Sequence, residues 1–323
     1  MGFGRRAGWV LAFVSAASAH ADLTLRHSFS FKFASFVPAE IQSQAGEQMK
    51  TALPEDVLLQ IKGDRVFSSF GSLFTIADYG SNQITVLDPK TKQFATVPLN
   101  EYFDRIGTAQ DIPPLPPDAQ RALGGLSFDV QTRKTGQTST IQGIRAEENV
   151  VMVTVNAPGL QGAPSSMRLE MQFWVAPVAE IRRTPALAEL AAYVERARRA
   201  FDPAQMIQNT FAMVPGMGDS LRTALEALLQ ANSGVMLKVH TGVYIPALAQ
   251  LMVASGRAPA GVDPNGPFAE FGMDLAEISS APIEDSVFTV PADYQAAPFA
   301  QLIQRQVQAS PLAPAITPPK PLR

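Results

Sequence analysis

The sequence predicts a mainly β protein of the α+β class, built on an antiparallel sheet with an apolar face that other parts of the chain must cover. Three observations carry this. In residues 22–36, Leu23, Leu25, His27, Phe29, Phe31 and Phe33 alternate with Thr24, Arg26, Ser28, Ser30 and Lys32, the period of a long half-buried strand. Residues 56–99 hold short apolar runs separated by turn signals at Gly63-Asp64, Gly71-Ser72, Gly80-Ser81-Asn82 and Asp88-Pro89-Lys90, the pattern of an antiparallel meander. The stretch 184–233 changes to helical spacing.

Taken in order, the chain opens with a secretory signal. Arg5 and Arg6 precede an apolar run from Ala7 to Ala17, and Ala19-His20-Ala21 fits a cleavage site after Ala21. That run is too short to span a bilayer, which argues against an uncleaved anchor and places the mature chain in the periplasm or outside the cell. No later run approaches the length of a membrane span, so the mature chain is expected to lack a transmembrane segment. Cleavage removes two arginines from a chain already at formal charge −3, which leaves no basic footprint for nucleic acid. With 0 cysteines, disulfides, thiol catalysis and thiolate metal sites are excluded.

After the first strand, Ile41, Ala45 and Met49 allow a short helix before Pro54, and the meander follows. Pro113, Pro114, Pro116 and Pro117 make a stiff connector, and a short helix is expected over 118–123. Strands resume at Leu126. A turn is expected at Lys134–Thr138, a second polar turn before Val150, and an alternating strand over Arg168–Val175. Thr184-Pro185 and Asp202-Pro203 each place a cap before proline, opening two helices; Asp219 opens a third. Strand pattern returns at Val235–Ile245, a short helix at 246–254, and strands at 268–279 and 287–294. The last residues, Ser310–Arg323, are proline-rich and lack a core pattern, as a disordered tail does.

The chemistry is sparse. His27 and His240 are over 200 residues apart without carboxylates at ligand spacing, so neither a metal nor a cofactor is expected. Neither a nucleophile elbow nor a phosphate-binding loop occurs, and the expectation is a protein that is not an enzyme. His27 lies on the oily side of its strand and is expected to be a neutral core histidine. Arg182, Arg183, Arg196, Arg198 and Arg199 gather around the first helix; they read as a solvated face or as a surface for anionic headgroups or an acidic partner.

Four segments, in order, bear a family likeness. The hairpin Asn82–Phe94, the run Thr135–Gly143, Phe173-Trp174-Val175-Ala176-Pro177 and the stretch Phe288–Tyr294 resemble pieces of exported bacterial domains related to the periplasmic lipoprotein-carrier (LolA-like) half-barrels. The resemblance covers 22–180 and 235–295. It implies a bent, incompletely closed antiparallel sheet whose concave face is plugged by helices; in the carriers that cavity holds acyl chains.

The expectation is then a signal peptide over 1–21, one half-barrel domain over 22–300 of about ten strands, a helical insertion at 184–233 acting as a lid, and a Pro-rich tail over 301–323. The expected function is non-catalytic binding of an apolar ligand, a lipid or an acylated protein, by Phe29, Phe31, Phe33, Phe173, Leu190, Val194 and Phe211. The alternative is a structural or interaction module of the cell envelope, with a solid core and an envelope protein as partner.

Overall fold

In a computed structural model, the structure describes residues 22–35, 56–69, 73–109, 127–156, 166–184, 187–200, 234–256 and 265–309, with Val37, Gln42, Ser43, Gly46 and Asp263. The segment 1–21, the proline connector, the expected helices at 118–123 and 202–233, and 310–323 lie outside the described residues, as does most of the helix expected before Pro54.

The protein is mainly β. Among the described residues, twelve strands form one open sheet in the order β12-β6-β5-β4-β3-β2-β1-β11-β10-β9-β8-β7, two more than the approximate count expected. The first strand is β1 (Leu23–Phe33), followed by the meander β2 (Asp56–Lys62), β3 (Arg65–Ser68), β4 (Phe74–Asp78), β5 (Gln83–Asp88) and β6 (Gln93–Pro98). Next come β7 (Ser127–Ile141), β8 (Ile144–Asn156), β9 (Ser166–Ala176), β10 (Val235–Tyr244), β11 (Ala269–Ser279) and β12 (Gln295–Ala296). All neighbours are antiparallel except β12, which runs parallel to β6.

The meander turns form as their residues dictate. Asp78 Oδ1 accepts from the N–H groups of Gly80 and Ser81, and Asp88 Oδ1 from those of Lys90 and Thr91. Each loop closes on a residue with positive φ, Asn82 or Lys92. Short carboxylates thus supply the turn acceptors that the backbone lacks.

Two expected turns are instead parts of long strands, one as a bulge in β7 and the other as continuous strand in β8. The segment Lys134–Thr138 stays within β7, where the pairing with β8 slips by extra residues, and β8 continues through Arg145–Asn149. The chain reverses at Gln142-Gly143, both with positive φ, as a two-residue hairpin turn requires.

Three register slips lie on one row across the sheet, at Arg26/His27 between β1 and β11, at Met236/Lys238 between β10 and β9, and at Lys134/Thr138 between β7 and β8. Bulges bend strands, so a row of them creases the sheet. The bend is visible at Gln142, whose Nε2 donates to the Ala276 carbonyl of β11 at 2.9 Å. In a flat sheet β8 and β11, three places apart, would be about 14 Å from each other.

The crease divides the packing. On one side of it lies the main core, where Leu23, Leu25 and Ile61 meet Ile144, Ala146, Leu237 and Leu275. The helices α2 (Val178–Arg182) and α3 (Ala188–Ala200) join that core through Ile181, Leu190 and Ala191. Arg196 anchors α3 by donating from Nη2 to the Gly63 carbonyl at 2.7 Å, and the Tyr193 ring meets Tyr79 edge-on. Burial pushes both phenols above their ordinary range.

The meander is covered on both faces. On one, α1 (Tyr102–Ala109) packs against α5 (Phe299–Ala309), and Leu302 and Ile303 enter the main core. The tail therefore does not begin at 301: residues 299–309 are a helix in which Phe299, Leu302 and Ile303 are buried. On the other face, Ile283 and Phe288 pack on Ile76 and Leu87. Here the expected strand 287–294 is corrected to a 3-10 turn, Asp285–Phe288, followed by a loop. Pro291 has no amide hydrogen for a ladder at that point.

Candidate apolar binding face

Beyond the crease, β1, β11, β10, β9, β8 and β7 form a six-stranded arm whose pleat separates two unlike surfaces. Directly opposed residues share a face. Phe29, Phe31 and Phe33 therefore lie beside Met273, Phe271 and Ala269; these lie beside Val239, Thr241 and Val243; these beside Phe173, Met171 and Leu169. Val151 and Val153 continue the face onto β8, Phe128 and Val130 onto β7. The face crosses five strand spacings, about 24 Å.

Its two ends differ in packing. On β8 and β9, Val151, Val153 and Phe173 are buried in a local apolar cluster. On β1, β11 and β10, Phe29, Phe31, Phe33, Phe271, Met273, Val239 and Val243 are only half-buried. Phe31 is the hub of this end, with ring centroids 4.5 Å from Phe33 and 4.8 Å from Phe271. The helix α4 (Pro246–Ala254) seats Ala249 and Met252 against Phe33 and Phe268 at the tip.

The opposite face of the same strands carries the charge. Lys238 pairs with Asp274 at 2.9 Å and His240 Nε2 lies 3.4 Å from a Glu270 carboxylate oxygen. Arg168 stacks over the Tyr244 ring at 4.1 Å, and that ring occupies the notch left by Gly242. The one histidine on the apolar side, His27, sits at the crease between Val57 and Leu275. Burial pulls its imidazole below the ordinary value, which keeps it neutral at pH 7. The apolar face thus offers area and no fixed charge except Lys134, at its outer edge on the crease row.

The structure brings Phe29, Phe31, Phe33 and Phe173 onto one surface. It places Leu190 and Val194 elsewhere: Leu190 is 1% exposed in the main core, and Val194 packs against that core. Phe211 lies outside the described residues. Met273, Phe271, Val239 and Met171 belong to the face but were not singled out from sequence. The alternation Ala269-Phe271-Met273-Leu275 was the available signal. Three arginines of the expected cationic face are engaged internally: Arg182 with Glu195 at 3.2 Å, Arg183 with Glu180 at 3.0 Å, and Arg196 as above.

Among the described residues, no three His, Asp or Glu side chains converge as a metal site needs, and no helix is long and apolar enough to cross a membrane. The arrangement can hold an apolar group and exclude water from it. What the fold and this face define is a class: an open, creased, mainly antiparallel sheet with helices on it and an arm that is oily on one face and charged on the other. No known family model matches the chain, and none of the curated proteins does.

Proposed function

We propose that this protein is an exported, non-catalytic binder of an acyl chain, carried either by a free lipid or by a lipid-modified protein. The observation that carries the reading is the segregation on the arm. One face presents Phe29, Phe31, Phe33, Phe271 and Met273 half-buried and contiguous, while the ion pairs line the other. The order of the four segments resembling lipoprotein carriers supports the same ligand chemistry. Removing about 250 Å² of chain from water against such a face contributes about 6 kcal/mol before ordering costs. In this reading Leu190 and Val194 secure the fold, and the ligand lies against the Phe stripe.

The test is native mass spectrometry of the purified protein, followed by organic extraction and uptake of added fatty acid or phospholipid. A co-purifying acyl species at stoichiometric amount is the expected result, and its identity separates free lipid from an acylated protein. Phe31→Glu should abolish uptake while Ser30→Glu, on the opposite face, leaves it intact, both variants being checked by circular dichroism. A clean apo mass with no uptake would overturn the reading in favour of an envelope interaction module. Equal uptake by the two variants would overturn the assignment of the face.

A further inference from the structure

The two edges of the sheet are treated differently. The β6 edge is closed by the chain itself: Gln295 N–H donates to the Lys92 carbonyl and Ala297 N–H to the Phe94 carbonyl. The β7 edge has β8 on one side and, among the described residues, no strand on the other. An edge is ordinarily blunted by proline, a bulge, a very short strand or charged side chains, and of these Ser127–Lys134 carries only charges, of both signs: Asp129, Arg133 and Lys134. In β7 the bulge comes only after Lys134, and Ser127–Lys134 pairs regularly with β8 and contains neither glycine nor proline. From Gln131 to Lys134 every residue is exposed.

We propose that this edge pairs antiparallel with the same edge of a second copy, about a two-fold axis at Gln131. The sequence of the edge is self-complementary in that register. Asp129 of one copy falls opposite Arg133 of the other, and the converse pair forms by symmetry. Both residues project on the charged face. On the apolar face, Val130 meets Thr132, and Phe128 lies beside Lys134, whose aliphatic stem can cover the ring. A shift of the axis to Asp129 or Arg133 sets like charges directly opposite, which is destabilising, and a shift to Val130 or Thr132 loses the Asp129–Arg133 pairs, so the charge pattern favours the axis at Gln131. An isologous contact of this kind closes as a dimer and does not propagate. A perpendicular two-fold keeps both apolar faces on the same side, so the six-stranded faces of two copies run together. The pairing follows from the edge alone and stands whether or not the face binds an acyl chain.

The experiment is sedimentation velocity across a concentration series, with a charge-swap cycle. The parent should show a monomer–dimer equilibrium. Asp129→Arg and Arg133→Asp, each of which sets like charges opposite in two places, should weaken the dimer about tenfold. The double swap should restore it. Because the chain has 0 cysteines, Gln131→Cys places a thiol on the axis and should oxidise to a covalent dimer. Thr140→Cys, beyond the bulge, serves as the control and should not. A monomer at every concentration, no rescue in the double swap, or equal cross-linking of the two cysteine variants overturns the proposal. Parent and variants are compared by thermal melt, and the cysteine pair reads out edge proximity even if a charge swap impairs folding.

Discussion

Replacing Leu302 with alanine tests whether the C-terminal helix belongs to the core. Leu302 is 0% exposed and sits with Phe299 and Ile303 against the meander. The substitution removes three carbons, about 2.4 kcal/mol of transfer free energy at about 0.8 kcal/mol each. Incomplete collapse of the cavity raises the cost to about 3–5 kcal/mol, a large part of a typical stability of about 5–15 kcal/mol. Leu251→Ala is the matched control. Leu251 is 63% exposed on α4, and a surface change there should stay within about 0.5 kcal/mol. Equilibrium urea unfolding gives both numbers, provided the slope is unchanged so that the midpoint reports stability. If Leu302→Ala costs no more than the control, the helix is not packed on the sheet and the chain from 301 onward is a tail after all.

Other substitutions probe the crease and its neighbours. A Cβ on Gly234 would run into the Ala176 carbonyl oxygen and come within 2.7 Å of Val175 Cγ1. Because the first obstacle is backbone, Gly234→Ala should lower stability by about 1–3 kcal/mol, read as a fall in urea midpoint. Gly143 holds φ +78 in the β7–β8 turn, so Gly143→Ala should cost about 1 kcal/mol by the same assay, through strain alone. The pH response of His27 has a definite sign. Its folded-state imidazole is held below its ordinary value by burial, so between the two values the unfolded chain binds the proton and the folded chain does not. Its contribution is complete above about pH 6.5 and is lost as pH falls through the folded value. His27→Leu should flatten that decline, and an unchanged slope would remove His27 as its source.

Much of the fold was legible because the first strand and the meander each have one periodicity and unambiguous turn residues. Asp78 and Asp88 announced their turns by chemistry that the structure then uses. The misplaced turn at Lys134–Thr138 has a physical cause, which is that bulges and turns draw on the same residues. Lys134–Thr138 contains glycine and polar residues, as a hairpin does, and only the pairing with β8 shows that the strand continues. The true reversal, Gln142-Gly143, was hidden because glutamine replaces the more usual asparagine at a positive-φ position. The helix over 299–309 was overlooked because the prolines that follow it dominated the composition, although Phe299, Leu302 and Ile303 carry a helical stripe. Of the candidate site, the Phe29–Phe33 stripe was readable from alternation. Its neighbours on β9, β10 and β11 depend on non-local register, which a single strand's pattern does not encode.

The division of labour across the sheet follows from how the two halves are covered. Residues 283–309 pack Ile283 and Phe288 on the outer face of the meander, pair Gln295 with its edge, and send Leu302 into its inner face. Lys62, Arg65 and Lys92 fasten that segment through the Ile283 carbonyl, Asp285 and Asp293. One stretch of chain, more than 180 residues distant in sequence from β6, thereby covers two faces and an edge of the same five strands. The arm receives no comparable cover among the described residues; its described apolar packing is a cluster at β8–β9 and α4 at the tip. Local stability scales with buried apolar contact, so the meander half should hold its amide hydrogens longest and the arm should exchange first. Binding surfaces are drawn from the less stable parts of a fold for the same reason. A hydrogen-exchange map in which β1 beyond the crease, β10 and β11 are the best-protected strands would contradict both the division and the site placed on it.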